Sequence, residues 1–312
     1  MRILVTGGAG FIGSHVVDAY LGAGHEVAVV DNLSTGHRDN LNPAAKFFEA
    51  DIRSDRMSNI FSEFRPDVVN HHAAQKSVPY SVENPRFDAD VNLMGLLNLL
   101  DLCQQHGVQQ FILASSGGAL ADPGLIPSPE SGSPLFVSPY SVAKYASEKY
   151  LEFYQHTYGI QTLCFRYANV YGPRQTPDGE AGVVAIFTQN ILRGLPCKIY
   201  ALPGMPRGAT RDYVYVKDLV VAHEMAVTRR VSGVYNLGTG IETDTRTLVD
   251  ELFAISGRVV PVTVQGARAG DLARSCLDSS KIARDLGWSF TTSVTDGLTR
   301  TYEWAHSLHE ES

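Results

Sequence analysis

The chain is short of cysteine: Cys103, Cys164, Cys197 and Cys276 are its only four, and no two form a C-x-x-C pair. That spacing argues against a disulfide frame and against a zinc site, and for reduced thiols in the cytoplasm. No apolar run is long enough to span a bilayer, and the one at the N-terminus is too short for a signal peptide, so no membrane partner is expected. Positive charge is in deficit: 26 Lys and Arg face 33 Asp and Glu, for a net charge of −7. A nucleic-acid partner is therefore not expected, and any anionic ligand must be met by local cations. Internal repeats, low-complexity stretches and a linker between independent domains are missing too. The 312 residues are enough to bury a sizeable core.

What is present begins at the N-terminus. Arg2–Thr6 reads as a buried strand running into Gly7-Gly8-Ala9-Gly10-Phe11-Ile12-Gly13, then a helix to about Leu21 and a second strand ending at Asp31. A glycine turn between a strand and a helix lets backbone N–H groups approach a pyrophosphate, which then faces the positive end of the helix. Gly7 and Gly10 serve the turn, and Gly13 permits close packing of helix on strand. Asp31, at the end of the second strand, can bind adenosine ribose hydroxyls and repel a 2′-phosphate, favouring NAD over NADP. Arg38 is the counter-indication, since an arginine there could serve that phosphate.

The β–α alternation continues with strands near 45–50, 66–71, 109–114 and 161–166. Helices are expected to about Phe64, from about Pro85 to His106, and from Tyr140 to about Tyr158. The 85–106 helix is apolar nearly all round, which fits burial within the fold or in a dimer seam. The fold class is α/β, a Rossmann-type doubly wound parallel sheet with a smaller C-terminal substrate lobe. Residues 1–168 with 212–240 are assigned to the nucleotide-binding part and 169–211 with 241–312 to the lobe. Within the second half, a helix is expected near 183–193, a strand at 198–201, a helix at 214–229, a strand at 234–237 and a helix at 245–256, with segments 279–287 and 294–306 closing the chain. In such sheets ligands sit at the carboxyl ends of the strands, where Asp31, Asp51, His72, Ser115 and Ser116 all fall.

Tyr140-Ser-Val-Ala-Lys144 puts a phenol and an ammonium one helical turn apart. A fixed cation favours phenolate, so Lys144 is expected to bring Tyr140 into range as a base. Alone, such a pair is common by chance.

Taken together with Asp31-Asn-Leu-Ser-Thr-Gly36, Asp51-Ile-Arg53 and Arg166-Tyr-Ala-Asn-Val-Tyr-Gly-Pro173, these motifs occur in an order that resembles the extended short-chain dehydrogenase/reductase family. The likeness is to nucleotide-sugar epimerases of the UDP-glucose 4-epimerase type. It runs on through Gly179–Phe187, Thr210–Val216 and Arg268-Ala-Gly-Asp271. The resemblance implies that NAD is held by Gly7, Gly10, Phe11, Ile12, Asp31, Asn32, Ser34, Thr35, Gly36, Asp51, Ile52, Lys76, Asn92, Tyr140 and Lys144. It implies a UDP-sugar at Asn169, Val183, Lys198 and Tyr200, with Arg211 and Arg268 on the diphosphate and Asp271 beside them. It also suggests a homodimer built on the 93–100 and 140–158 helices.

One position departs from the pattern. The family places a Ser or Thr against the reacting hydroxyl, and strict counting back from Leu120-Ala121-Asp122 puts Gly117 there. Ser116 is the residue expected to reach in, with Ser115 as the alternative, and Ala121-Asp122 stand where Tyr-Gly is usual. The expected reaction is NAD-dependent 4-epimerisation of UDP-glucose and UDP-galactose through a 4-keto sugar, catalysed by Tyr140, Lys144 and Ser116. The alternatives are a 4-epimerase of UDP-glucuronate or a UDP-N-acetylhexosamine, or a non-catalytic NAD sensor. A 4,6-dehydratase is disfavoured, because no carboxylate occurs at Gly117, Gly118 or Ala119.

Overall fold

Short runs of Val, Ile and Leu bounded by glycine or polar residues become parallel strands, and the helices between them cover both faces. The computed structural model describes residues 1–177, 182–266 and 272–310. Its strands are β1 (Arg2–Thr6), β2 (Glu26–Asp31), β3 (Lys46–Glu49), β4 (Val68–His71), β5 (Gln110–Ser116), β6 (Gln161–Tyr167) and β7 (Asn169–Tyr171). They continue with β8 (Cys197–Ala201), β9 (Thr210–Tyr215), β10 (Gly233–Leu237), β11 (Glu242–Asp244), β12 (Val262–Gly266) and β13 (Arg274–Ser275). The central sheet has seven strands in the order β3-β2-β1-β4-β5-β6-β10. Every pairing in it is parallel. Strand order reverses between β1 and β4, and a crevice opens at their carboxyl ends.

β1 shows why the sheet needs two helical layers. Ile3 and Val5 pack with Val16 and Val17 of the Phe11–Gly22 helix, while Leu4 points the other way into Met57, Ile60 and Leu99. A third core gathers Tyr171, Phe187, Ile199, Leu248 and Tyr302. The division of the chain is crossed near its end: Leu277, Ile282, Leu286 and Trp288 pack into a core of the central sheet.

The helix carrying Tyr140 spans Pro139–Tyr158 and is fixed at both ends. Ser138 and Ser141 form a reciprocal capping box, Pro139 occupies the first turn, and Gly159 closes the helix at φ 72°. Tyr140 therefore sits at a pinned helix start, where fraying would otherwise move it.

Several expected boundaries shift. Ser115 and Ser116 are the last residues of β5 and not a loop beyond it. The expected 214–229 helix begins at Val216, because Val214 and Tyr215 complete β9. The 85–106 run is an α-helix at Pro85–Ala89, a π turn at Asp90–Met94 and an α-helix at Gly95–His106. Its Leu96, Leu99 and Leu100 are buried inside the fold. A helix at Val78–Glu83 and strands β7, β9, β11, β12 and β13 were not expected. These strands are two to six residues long, and their pairing partners are remote in sequence or in another short strand. Among the described residues no helix is long and apolar enough to cross a membrane.

Candidate active site

The glycine turn folds back on itself. Gly7 has φ +70° and lies so close to β4's end that an added Cβ would stand 2.6 Å from the Ala73 nitrogen. A Cβ on Gly13 would stand 2.3 Å from the Gly7 carbonyl oxygen, so this glycine lets the helix seat on the turn. The helix starts at Gly10 with no side-chain cap and no acidic residue in its first turn. Its first N–H groups and positive end thus suit a phosphate.

Asp31 is 8 % exposed, and its carboxylate accepts from the Ala9 N–H at 3.0 Å and the Leu33 N–H at 2.8 Å. Burial raises its pKa and these two hydrogen bonds lower it. A carboxylate has about four acceptor sites, so capacity remains for ribose hydroxyls. Arg38 is turned to Glu49 in an ion pair and lies over the Phe47 ring, which removes the indication for a 2′-phosphate. Asp31→Ser is expected to shift the ratio of NAD to NADP dissociation constants toward NADP by roughly tenfold, ~1.4 kcal/mol. Binding titrations of both cofactors check it.

The remaining expected cofactor residues gather around this turn. Gly36 abuts the Asp31 carboxylate, where an added Cβ would stand a tight 3.0 Å from each oxygen. Asn32 donates to Asp51 at 3.1 Å and accepts from the Ser34 N–H at 3.1 Å. Arg53 grips Asp51 through two side-chain hydrogen bonds of 2.9 and 2.7 Å, which holds that carboxyl down at about 2. Ile52 is buried against Gly95, Ser34 and Thr35 are exposed, and Lys76 is exposed at the rim of the cleft. Asn92 is buried, and its amide bonds Gln75 and Asp88.

Above the turn lies a cleft of about 300 Å³, lined by Phe11, Ile12, Lys76, Ser116, Tyr140, Tyr167, Asn169, Gln175, Val183 and Tyr213 among others. Lys144 is buried beneath it and donates to the Ala114 carbonyl at 2.9 Å. Its Nζ is 5.7 Å from the centre of the Tyr140 ring, over the face and not on the phenol oxygen. Burial pushes Tyr140 up to about 12, opposed by a hydrogen bond with Ser116, while Asp88 raises it further. Lys144 is pushed down to about 8 by burial, against the pull of Asp88 and Glu148. Burial is the largest influence on the phenol and disfavours its ionised form, while the Lys144 cation sits at the ring face.

The two serines at the end of β5 both line the cleft but make different hydrogen bonds. Ser115 is buried and donates to Glu148 at 2.6 Å. Glu148 is also held by Arg166, Nε at 2.9 Å and Nη2 at 2.7 Å. Ser116 lines the cleft with Tyr140, where its hydroxyl lowers the Tyr140 pKa, and it accepts from the Ala119 N–H at 3.2 Å, capping a one-turn helix. Asp122, flagged as unusual, organises its own loop: it accepts from the Gly124 and Ser133 N–H groups, both at 2.8 Å.

On the substrate side, Asn169 and Val183 line the cleft, but Lys198, Tyr200 and Arg211 are not part of its described lining. Arg211 shares a face of β9 with Tyr213, which does line it. Arg268 and Asp271 lie outside the described residues. Tyr213 and Gln175 were missed in the sequence. Tyr213 lies inside the Thr210–Val216 motif, and its period-two relation to Arg211 was the available signal. Among the described residues no cluster of His, Cys, Asp or Glu could hold a metal.

A parallel sheet with a glycine turn at its switch point, an acid ending β2, and a Tyr–Lys pair beside an open cleft define a dinucleotide-dependent enzyme that acts on a bound second ligand. The comparisons name it more narrowly. Residues 3–238 match the model of the NAD dependent epimerase/dehydratase family. A UDP-glucose 4-epimerase of Thermotoga maritima, solved with UDP-glucose, superposes with a TM-score of 0.94 at 45% identity, covering 99% of this chain and 100% of that one. A Thermus thermophilus UDP-glucose 4-epimerase solved with NAD gives 0.91 at 44% identity, covering 97% and 98%. A UDP-glucose 4-epimerase of Mycolicibacterium smegmatis is 40% identical over 97% of this chain and 98% of its own length. The chain belongs to the NAD dependent epimerase/dehydratase family.

Proposed function

We propose that the protein is a UDP-sugar 4-epimerase that interconverts UDP-glucose and UDP-galactose with NAD as a resident cofactor. The observation that carries this is the convergence of Tyr140, Ser116 and Asn169 on one cleft that opens beside the glycine turn. Relatives named for UDP-glucose, over nearly their full length, support the choice of sugar. Gly7, Gly10 and the helix start would hold the pyrophosphate, Asp31 the ribose, and Tyr140 and Lys144 the nicotinamide end. Oxidised NAD supplies a hydride acceptor and a positive charge of the sign that favours a phenolate. Tyr140 takes the proton of the sugar 4-hydroxyl and later returns it. Ser116 orients that hydroxyl and lowers the cost of ionising Tyr140. Lys144, held by the Ala114 carbonyl, keeps a cation at the ring face. Incubating the protein with UDP-glucose and separating the products tests the reading. UDP-galactose is expected, and its absence with NAD bound would overturn it.

Ser116→Ala removes a hydroxyl in the cleft whose interaction lowers the Tyr140 pKa. The base then needs a higher pH, so the acid limb of the rate profile is expected to move up and kcat to fall at least about tenfold. Ser115→Ala is expected to leave that limb in place and to cost about 1.5–3 kcal/mol of stability, the worth of a hydrogen bond to a charged group. Rate profiles and denaturant melts of the two variants separate the roles.

The quaternary reading is a homodimer in the cytoplasm. Phe87 and Met94 on one side and Val142, Tyr150 and Phe153 on the Pro139–Tyr158 helix are exposed apolar side chains on neighbouring helices. The four cysteines are free and buried, in keeping with a reducing compartment.

A further inference from the structure

Asp88 is a carboxylate with no place in the reading so far. It sits on the short Pro85–Ala89 helix, is 0 % exposed, and is the last residue but one before the π turn. Its Oδ1 accepts from the Gln75 side chain at 2.8 Å and from the Asn92 side chain at 3.0 Å. Its Oδ2 is buried with no hydrogen-bond partner among the described residues. Asn92 in turn exchanges two bonds of 3.0 Å with the Gln75 main chain. Gln75 immediately precedes Lys76, which lines the cleft. The π turn has a use here, since one extra residue in the turn rotates Asn92 inward to close the cluster.

We infer that Asp88 is a positioning residue for the reaction: it locks Gln75 and Asn92, and with them the approach to Lys76, and it sets a buried negative charge beside the Tyr140–Lys144 pair. The inference rests on the epimerase reading. Burial raises the Asp88 pKa above its usual value, and the Gln75 and Asn92 amide donors oppose it by favouring the ionised form. That charge acts on both members of the pair, making Tyr140 harder to ionise and Lys144 easier to keep protonated. The other groups around Lys144 are Glu148 on its own helix, Cys164 on β6, and His71 and His72 at the end of β4. The two histidines are held neutral by burial, and burial also keeps the Cys164 thiol protonated. Asp88 and Glu148 are therefore the anions that face it, and Glu148 is already neutralised by Arg166.

Asp88→Asn is the test, because it keeps shape and an acceptor for the two amides while removing the charge. Without the anion both pKa values fall, so both limbs of the kcat profile are expected to move to lower pH, by about one unit. Phenolate absorbance of Tyr140, read as the difference between Asp88→Asn with and without Tyr140→Phe, is expected to move the same way. The NAD dissociation constant and the melting temperature are measured on the same holoenzyme. Asp88→Glu, which keeps the charge, is expected to return both limbs toward their wild-type positions. Unchanged limbs and unchanged phenolate titration, with only the melting temperature lowered, would overturn the inference. A wild-type protein that binds NAD but epimerises nothing would instead overturn the functional reading, and the absorbance titration would still decide the role of Asp88.

Discussion

Replacing Tyr140 with phenylalanine is expected to lower kcat by about 10²–10⁴-fold, the usual worth of a positioned proton-transfer group. The ring lines the cleft and lies under the Lys144 ammonium, so Phe keeps the packing and removes only the hydroxyl. Binding of NAD and of UDP-glucose should change little, and the loss should fall on kcat and not on KM. Burial disfavours the phenolate, pushing Tyr140 up to about 12. The reaction therefore depends on whatever stabilises the phenolate in the loaded site. Steady-state kinetics of the pure variant decide it: retention of most of the turnover would remove Tyr140 from the proposed role.

The second large effect concerns stability. Arg166→Met is expected to cost about 3–5 kcal/mol, the penalty for breaking one side of a buried ion pair. Arg166 and Glu148 have side chains 5% and 3% exposed. The arginine also donates to the Glu130 carbonyl at 3.2 Å, and Glu130 itself accepts from the Asn236 N–H at 2.9 Å. The pair thus ties the catalytic helix to β6, and through the Glu130 segment to β10. Methionine would fill the volume but leave the Glu148 carboxylate buried with Ser115 as its remaining described partner. Chemical denaturation of the variant at neutral pH measures the loss. A double replacement with Glu148→Leu should recover part of it, because the stranded charge is then gone.

The central sheet was legible because parallel strands announce themselves as short apolar runs, and the Gly7–Gly13 turn because its glycines are required by contact. The Tyr140 helix was legible as a run from Tyr140 to about Tyr158, and the structure adds its caps at Ser138 and Gly159. The short strands of the second lobe were not, since two to six residues give no period and their pairing is set by tertiary contacts. The different bonding of Ser115 and Ser116 was unreadable for a related reason: both line the cleft, and only the fold brings Glu148 against Ser115. Asp88 was hidden because a carboxylate in a short helix after Pro85 looks like a solvated first-turn acid. Only the fold shows it buried, with Gln75 brought against it from thirteen residues earlier.

The most direct measurement of the proposed chemistry uses UDP-glucose carrying deuterium at C4 of the sugar. If Tyr140 moves only the hydroxyl proton and the carbon-bound hydrogen leaves and returns as hydride within the cleft, the UDP-galactose formed should retain the deuterium at C4. Product in which that deuterium has exchanged with solvent would contradict the reading, for it would mean that the carbon hydrogen had been removed as a proton.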